Sequence, residues 1–389
     1  MTASKKSILI STITTLLSLI VFSRPSASQA ASFQALGFFS GGTYSTANGV
    51  SADGSTVVGI GVNPAYTSTS QHEAASWTSG GGIVGLGTLS GGGESGAFAA
   101  SANGSVIVGG SSSSLAPQQA FRWTSGTGPV GLGLLPGGFT SQPSGVSGDG
   151  SVVVGFGIAS TGQNHAWSWT SGSGMVDLGI LPGGGASEAN GISTNGQVIV
   201  GAASSTLTPQ QAFRWTSGTG MVGLGLPAGG STSQANGVSA DGSVIVGYGL
   251  VAGGNNEAWK WTGGGGFVEL GFLPGLSSSS ALAASGNGSV IVGWGSDGGS
   301  TYQATIWDAA DGTRNLQSVL TSSYGLNLTG WTLEQATGIS ADGNTIVGYG
   351  IDPRGNTEAW VVQVPEPATL ALVAMGLASL LSFRFLKRK

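Results

Sequence analysis

The chain has 389 residues, 73 of them glycine, with no cysteine, 7% charged side chains and a formal charge of −5. This excludes disulfides, thiol catalysis and Cys-ligated zinc, leaves no basic surface for nucleic acid, and with His72 and His165 as the two histidines gives no His-rich metal site. Glycine at more than double its usual share of about 7% points to many tight turns and few helices, because glycine is costly inside helices.

The N-terminus reads as a targeting segment. Lys5 and Lys6 precede an apolar run over 7–22, followed by Arg24-Pro25 and the small residues SASQA. This order predicts a secretory signal peptide over 1–30, cut after Ala30, with an uncleaved membrane anchor as the alternative.

The middle of the chain repeats. Trp77, Trp123, Trp169, Trp215, Trp261 and Trp307 follow one another at steps of 46 residues. The phrase SADGSVIVG at 239–247 recurs as SADGSTVVG (51–59), SANGSVIVG (101–109), SGDGSVVVG (147–155), STNGQVIVG (193–201), SGNGSVIVG (285–293) and SADGNTIVG (340–348). Self-similarity at this period signals a solenoid or a propeller. Within 173–218 four short apolar pieces stand out: Met175–Gly179, Ala189–Ser193, Val198–Gly201 and Gln211–Trp215, separated by Gly, Ser, Asn and Pro. Four strands in one repeat is the all-β rhythm. Asp-Gly or Asn-Gly between two strands predicts a two-residue type I′ hairpin, in which both central residues take positive φ. A calcium loop would need carboxylates at alternating positions; each phrase has at most one, and Asn103, Asn195 and Asn287 replace it in three.

Units counted from the LG strand run 33–80, 81–126, 127–172, 173–218, 219–264, 265–310 and 311–364. The prediction is therefore an all-β, seven-bladed β-propeller of four-stranded repeats filling 31–364, with a parallel β-solenoid as the alternative. No split blade is visible, so closure by packing or by an offset boundary is expected. Residues 116–125 recur almost unchanged at 208–217, while odd units carry Gly155-Phe156-Gly157, Gly247-Tyr248-Gly249 and Gly348-Tyr349-Gly350, which suggests duplication of a two-blade unit. The phrases His165-Ala166-Trp167, Gln119-Ala120-Phe121 and Gln211-Ala212-Phe213, with LGLLPGG at 132–138 and its copy at 178–184, resemble the HAF family of extracellular repeats. The resemblance spans nearly all of 33–362 and brings no catalytic residues with it. Only one repeat keeps its histidine, and the last is degenerate.

One column stays polar in every unit: Glu73, Gln119, His165, Gln211, Glu257, Gln303 and Glu358. It reads either as a ring lining the channel, able to hold a sugar or cation, or as side chains that satisfy buried backbone groups at blade boundaries. The Trp column, with Trp167 and Trp259 at the Phe121 position, reads as inter-blade core. Tyr44, Tyr66, Tyr302 and Tyr324 fall in predicted loops and are candidates for recognition. Asp308 and Asp311, with Asp297 and Glu334 nearby in sequence, form the one acidic cluster. A glycosidase needs two carboxylates at a set separation, and the other acids are mostly spread singly. There is no P-loop, no Ser-His-Asp set, and no catalytic, cofactor or metal assignment to make.

The C-terminus reads VPEPATLALVAMGLASLLSFRFLKRK. Pro365-Glu366-Pro367 precedes an apolar stretch over 368–383 and the basic end Arg384, Lys387-Arg388-Lys389. Sixteen apolar residues fall short of the 18–20 of a span, and counting on to Leu386 makes a transmembrane helix possible. The basic end stays cytoplasmic, which places everything before Pro365 outside. The tail, 365–389, resembles the PEP-CTERM sorting signal of Gram-negative bacteria. That resemblance implies processing by a membrane-embedded exosortase and transfer to the cell surface or extracellular matrix. The sequence thus points to an exported, non-enzymatic structural or binding propeller, anchored in the membrane before processing, with extracellular polysaccharide or surface proteins as partners. A propeller glycoside hydrolase or lyase acting on exopolysaccharide is the alternative.

Overall fold

In the first repeat, Ser45–Val50 turns back into Thr56–Val62, which continues through His72–Thr78 to Gly82–Gly85, and the four pair as an antiparallel sheet in that order. The computed structural model describes residues 30–66 and 71–364, and its sheets repeat this pattern. Blades two to six begin at Ser95–Ala100, Gln142–Val146, Ser187–Ile192, Gln234–Val238 and Ser278–Ala284. Blade seven is Thr332–Ile339, Thr345–Ile351 and Thr357–Gln363, completed by the first strand of the chain, Ser32–Ala35. Each blade packs on the next and the seventh on the first. The result is a closed seven-bladed β-propeller.

The blade boundary lies one strand away from the one read off the repeat. The LG strand is not the first strand of its unit but the outer strand of the blade before. Ser32–Ala35 therefore has no earlier blade to join except the last. It pairs with Thr357–Gln363 in the register Phe33↔Val362 and Ala35↔Trp360. The ring closes through a split blade, which the sequence reading lacked.

The SADG turn also differs from expectation. Glycine alone takes positive φ there, from Gly54 (73°) to Gly343 (80°), and the one non-glycine with positive φ among the described residues is Gln71. A four-residue loop is closed instead by Ser51 N to Thr56 O (2.8 Å) and Gly54 N to Ser51 O (2.9 Å). The Asp53 carboxylate accepts from the Ser51 hydroxyl (2.6 Å) and the Ser55 amide (2.9 Å). Asp or Asn is thus selected for its side-chain acceptor rather than for its backbone.

The residue between Ser and Asp has a second task. Asp53 N donates to Ala102 O, Ala102 N to Gly148 O, Gly148 N to Thr194 O, Asn195 N to Ala240 O, Ala240 N to Gly286 O, Gly286 N to Ala341 O, and Ala341 N to Ala52 O. These bonds, 2.8–3.2 Å long, run once around the ring and lace every turn to the next. Serine supplies a second set of links. Ser141 Oγ donates to Gly133 O (2.7 Å) and accepts from Ala120 N (3.0 Å), tying blade three to blade two. Ser45, Ser95, Ser187, Ser233 and Ser279 repeat the pair of bonds at their own junctions, and all are buried. The junction between blades six and seven differs. There Leu333 takes the serine's place opposite Gly350, an extra bulge inserts Glu334 after it, and the short helix α1 (Leu316–Ser322) packs Leu316 and Leu320 into the gap.

The deepest aromatic positions are Phe121, Trp167, Phe213, Trp259 and Trp360, each 0% exposed. Trp123, Trp169, Trp215, Trp261 and Trp307, expected as the core column, are only half-buried. The reason lies in register: Phe121 faces Gly109, Trp167 faces Gly155 and Trp259 faces Gly247, so each ring lies over a glycine in mid-sheet, while the Trp two residues on sits at the strand end. Blade one has Ala75 in the deep position, and Trp77 is 2% exposed in compensation. A bulge in every innermost strand brings a carbonyl against the same glycine; a Cβ on Gly247 would stand 1.9 Å from Gln234 O.

Three outcomes follow for thermal and acid unfolding. Gly247→Ala is expected to cost at least about 3 kcal/mol, whereas Gly126→Ala, with nothing within 4 Å of its added Cβ, leaves the melting temperature nearly unchanged. Ser141→Ala leaves Ala120 N and Gly133 O without their partner and is expected to cost about 2–3 kcal/mol. Ser147 and Ser151 hold Asp149, and Ser243 and Ser239 hold Asp241, at a pKa of about 2. Because the folded value lies below the unfolded one of about 3.9, their stabilisation is complete above that pH and is lost as pH falls towards 2. Asp149→Asn with Asp241→Asn should flatten that part of the acid titration.

Candidate functional site

The innermost strands line the channel. Its middle is a cavity of about 200 Å³ bounded by Gly49, Gly145, Gly191, Gly237 and Gly338, with Ser144, Asn236 and Thr337 as its polar side chains. Towards the SADG turns it narrows to about 160 Å³ between Val50, Val146, Ile192, Val238 and Ile339 and the laced turns. Neither part is lined by a titratable residue among the described residues.

The polar column does not line this channel. It sits on the third strands, against the outer strand of each blade. Glu73 Oε1 accepts from Gly87 N (3.2 Å) and Glu358 Oε1 from Gly37 N (3.0 Å), and Glu257 accepts from the Gly271 amide. In blade three the carboxylate has moved across: His165 Nδ1 lies 2.7 Å from Asp177 Oδ2, and Asp177 Oδ1 accepts from Gly179 N at 2.7 Å. Gln303 Oε1 accepts from Asn315 Nδ2 (2.7 Å). Gln119 and Gln211 lie over Gly131 and Gly223, where a Cβ would meet their amide groups. The seven residues are spread around the ring and converge on nothing. Burial, and then the Glu269 charge, push Glu257 up; burial pushes Glu358 up.

Side chains do gather at the opposite, loop face of the channel, where the second strands end. The central residue of G-x-G there is Ile60, Phe156, Tyr248, Trp294 or Tyr349, facing Thr46, Gln142, Gln234, Ser280 and Gln335 on the innermost strands. Around blades three to five the rim is an amide network: Asn164 to Glu188 (2.7 Å), Gln210 to Gln234 (2.6 Å), Tyr248 to Gln234 (3.3 Å) and Gln234 to Asn236 (3.0 Å). Around blades six, seven and one it is aromatic. Trp294 and Tyr302 meet edge to face at 5.4 Å, and Tyr44 stacks on His72 at 5.8 Å. Tyr349 lies between them. Burial, then the charges of Tyr44, Glu334 and Tyr302, push its hydroxyl up to about 12. Glu334 itself is half-buried and raised by that burial, and among the described residues no protein group donates to it.

Tyr44 and Tyr302 of the predicted tyrosines thus belong to one site. Tyr66 is held elsewhere, its hydroxyl 3.2 Å from Glu73, and Tyr324 follows α1 on the surface. The acidic cluster dissolves: Asp308 and Asp311 both pair with Arg314, Asp297 caps its own loop through Gly299 N, and Glu334 stands at the channel mouth. Sequence reasoning missed Trp294 and Tyr349, although the aromatic in G-x-G was the visible signal. Among the described residues no three His, Asp or Glu side chains gather as a metal site, and no helix is long and apolar enough to cross a membrane. Pro365, Glu366 and Pro367, like residues 1–29 of the predicted signal peptide (1–30) and the apolar tail, lie outside the described residues.

Residues 363–389 match the PEP-CTERM protein-sorting motif. That motif marks an exported protein handled by an exosortase-type enzyme and sent towards the cell surface. None of the curated proteins matches the chain. Among solved structures, the β-propeller domain of the Trilobed protease from Pyrococcus furiosus is similar over 82% of this chain and 94% of its own, at 10% identity and a TM-score of 0.52. That propeller has an open velcro topology; here Ser32–Ala35 closes the ring. TolB from Acinetobacter baumannii matches at 17% identity and a TM-score of 0.47, over 66% of this chain, which spans 62% of TolB. Prolyl endopeptidases match at 13% identity and 0.49, with 47% of their length covered. At such identities the likeness concerns the fold alone.

Proposed function

We propose that the chain is an exported surface or extracellular-matrix protein with HAF-type repeats, whose propeller is a non-enzymatic binding module. The sorting motif at 363–389 carries this reading. On it, the apolar segment over 368–383 anchors the chain until an exosortase-type enzyme cuts near Pro365-Glu366-Pro367. The binding role draws support from a channel without titratable lining and from a polar and aromatic rim on one face only. Extracellular polysaccharide is the favoured partner, since a rim of amides, hydroxyls and aromatic rings suits an uncharged polyhydroxyl ligand.

The alternative is a glycoside hydrolase or lyase. Hydrolysis needs two carboxyl groups about 5–10 Å apart. Glu334 is the one carboxylate acting on Tyr349, and Glu188 belongs to blade four, across the ring. That arrangement favours binding over cleavage. Mass spectrometry of the surface-associated protein is expected to find the chain ending near residue 365; an intact Lys389 would reject processing. The exported protein is also expected to co-sediment saturably with the producer's own polysaccharide without releasing new reducing ends, whereas release of reducing ends would establish the alternative.

A further inference from the structure

The repeat supplies its own control for finding a site. A side chain present in every blade serves the ring; one that a single blade adds to or substitutes into the repeat is free for another task. Six junctions carry a serine that is buried and fully engaged with its neighbour blade. At the seventh, buried Leu333 takes the serine's place opposite Gly350, and an extra bulge of the innermost strand, between Leu333 and Gln335, inserts the charged side chain of Glu334. The hydrogen bonds of this junction are made by other groups: Gln317 of α1 accepts from Leu333 N (3.0 Å) and donates to Trp331 O (2.8 Å). Among the described residues Glu334 makes no structural hydrogen bond, yet it is held half-buried at the channel mouth. The aromatic side chains meet at the same place. The G-x-G centre is aromatic in two adjacent blades, as Trp294 and Tyr349, and at the position just before the polar column, where blades two to five have Gln118, Asn164, Gln210 and Asn256, blade six has Tyr302.

From this juxtaposition we infer a specific carbohydrate subsite between blades six, seven and one. Glu334 accepts hydrogen bonds from two hydroxyls of an uncharged sugar, and the faces of Tyr302, Trp294 and Tyr349 cover its apolar side. The inference rests on the binding-module reading above and names its ligand class. The chemistry selects against anionic sugars: a ligand carboxylate or sulfate beside Glu334 would place like charges together, and the arginine on the adjoining loop of blade seven, Arg354, is already paired with Asp352 and Glu358. A neutral pyranose offers what the site lacks, hydroxyl donors for a desolvated carboxylate.

The test is titration of the exported protein with the methyl glycosides of glucose, galactose, mannose and N-acetylglucosamine, and with glucuronic acid, read by calorimetry and tryptophan fluorescence. At least one neutral glycoside is expected to saturate, with glucuronic acid binding more weakly. Glu334→Gln should weaken that glycoside about tenfold or more, the loss of one charge-assisted hydrogen bond. Tyr302→Ala should do the same, while Tyr66→Phe, outside the site, should leave it unchanged. If Glu334→Gln does not fold, Tyr302→Ala carries the test. Polysaccharide co-sedimentation that survives both substitutions would overturn the subsite and leave the binding module standing. Absence of binding to polysaccharide and to every glycoside would overturn both.

Discussion

A propeller is stable only if its blades cannot slide against one another, and here that constraint is met by a buried serine hydroxyl. Each sheet satisfies its own backbone, so apolar packing alone would leave neighbouring sheets free to shift along a greasy interface. Ser141 and its five counterparts remove that freedom. Their hydroxyls join an amide of one blade to a carbonyl beyond it, and burial makes the loss of either bond costly. The laced SADG turns fix the same junctions at one end of the channel. With two anchor points at six of the seven junctions, the angle between blades has little room to vary, and seven blades close.

Closure then depends on the ends of the chain. Ser32–Ala35 supplies the outer strand of blade seven, and Glu358 of that blade caps Gly37 just beyond it. Asp352 secures the adjoining loop: it accepts from the amides of Arg354 and Asn356 and pairs with the Arg354 guanidinium, which also reaches Glu358 and covers Phe38. The charged groups of blade seven are concentrated at this seam, where the ring is held without covalent continuity. In three blades the polar column has the same purpose: Glu73, Glu257 and Glu358 feed an acceptor to the glycine amide that follows the outer strand, a task that Asp177 takes over in blade three. In three blades the glycine before the Leu, Gly85, Gly131 and Gly223, leaves space for the column's side chain.

Function, on this architecture, is found where the repeat fails. The junction between blades six and seven gives up its serine, admits α1 and exposes Glu334 among tyrosines at the channel mouth. The cost in cohesion is offset by Leu316, Leu320, Leu328 and Trp360 in the enlarged core beneath it. A ring of near-identical blades thus acquires one distinct side.

The sequence by itself determined the period, the number of blades, the four strands of each and the sorting tail, because these are written locally: Val and Ile runs, Gly-containing turns and a terminal motif need no distant partner. It also pointed to Tyr44 and Tyr302. Only the tertiary structure decided which strand belongs to which blade, since an LG strand reads alike whether it opens a unit or ends the previous one. It decided that Asp53 caps a turn with its side chain, because φ is not legible from an Asp-Gly pair. It placed Glu73 and its column against outer strands and Glu334 at the mouth, because a residue's distance from the ring axis depends on pairing between strands far apart in the chain. A repeating sequence fixes what each blade contains; which of its side chains meet across blades is set by the closure of the ring.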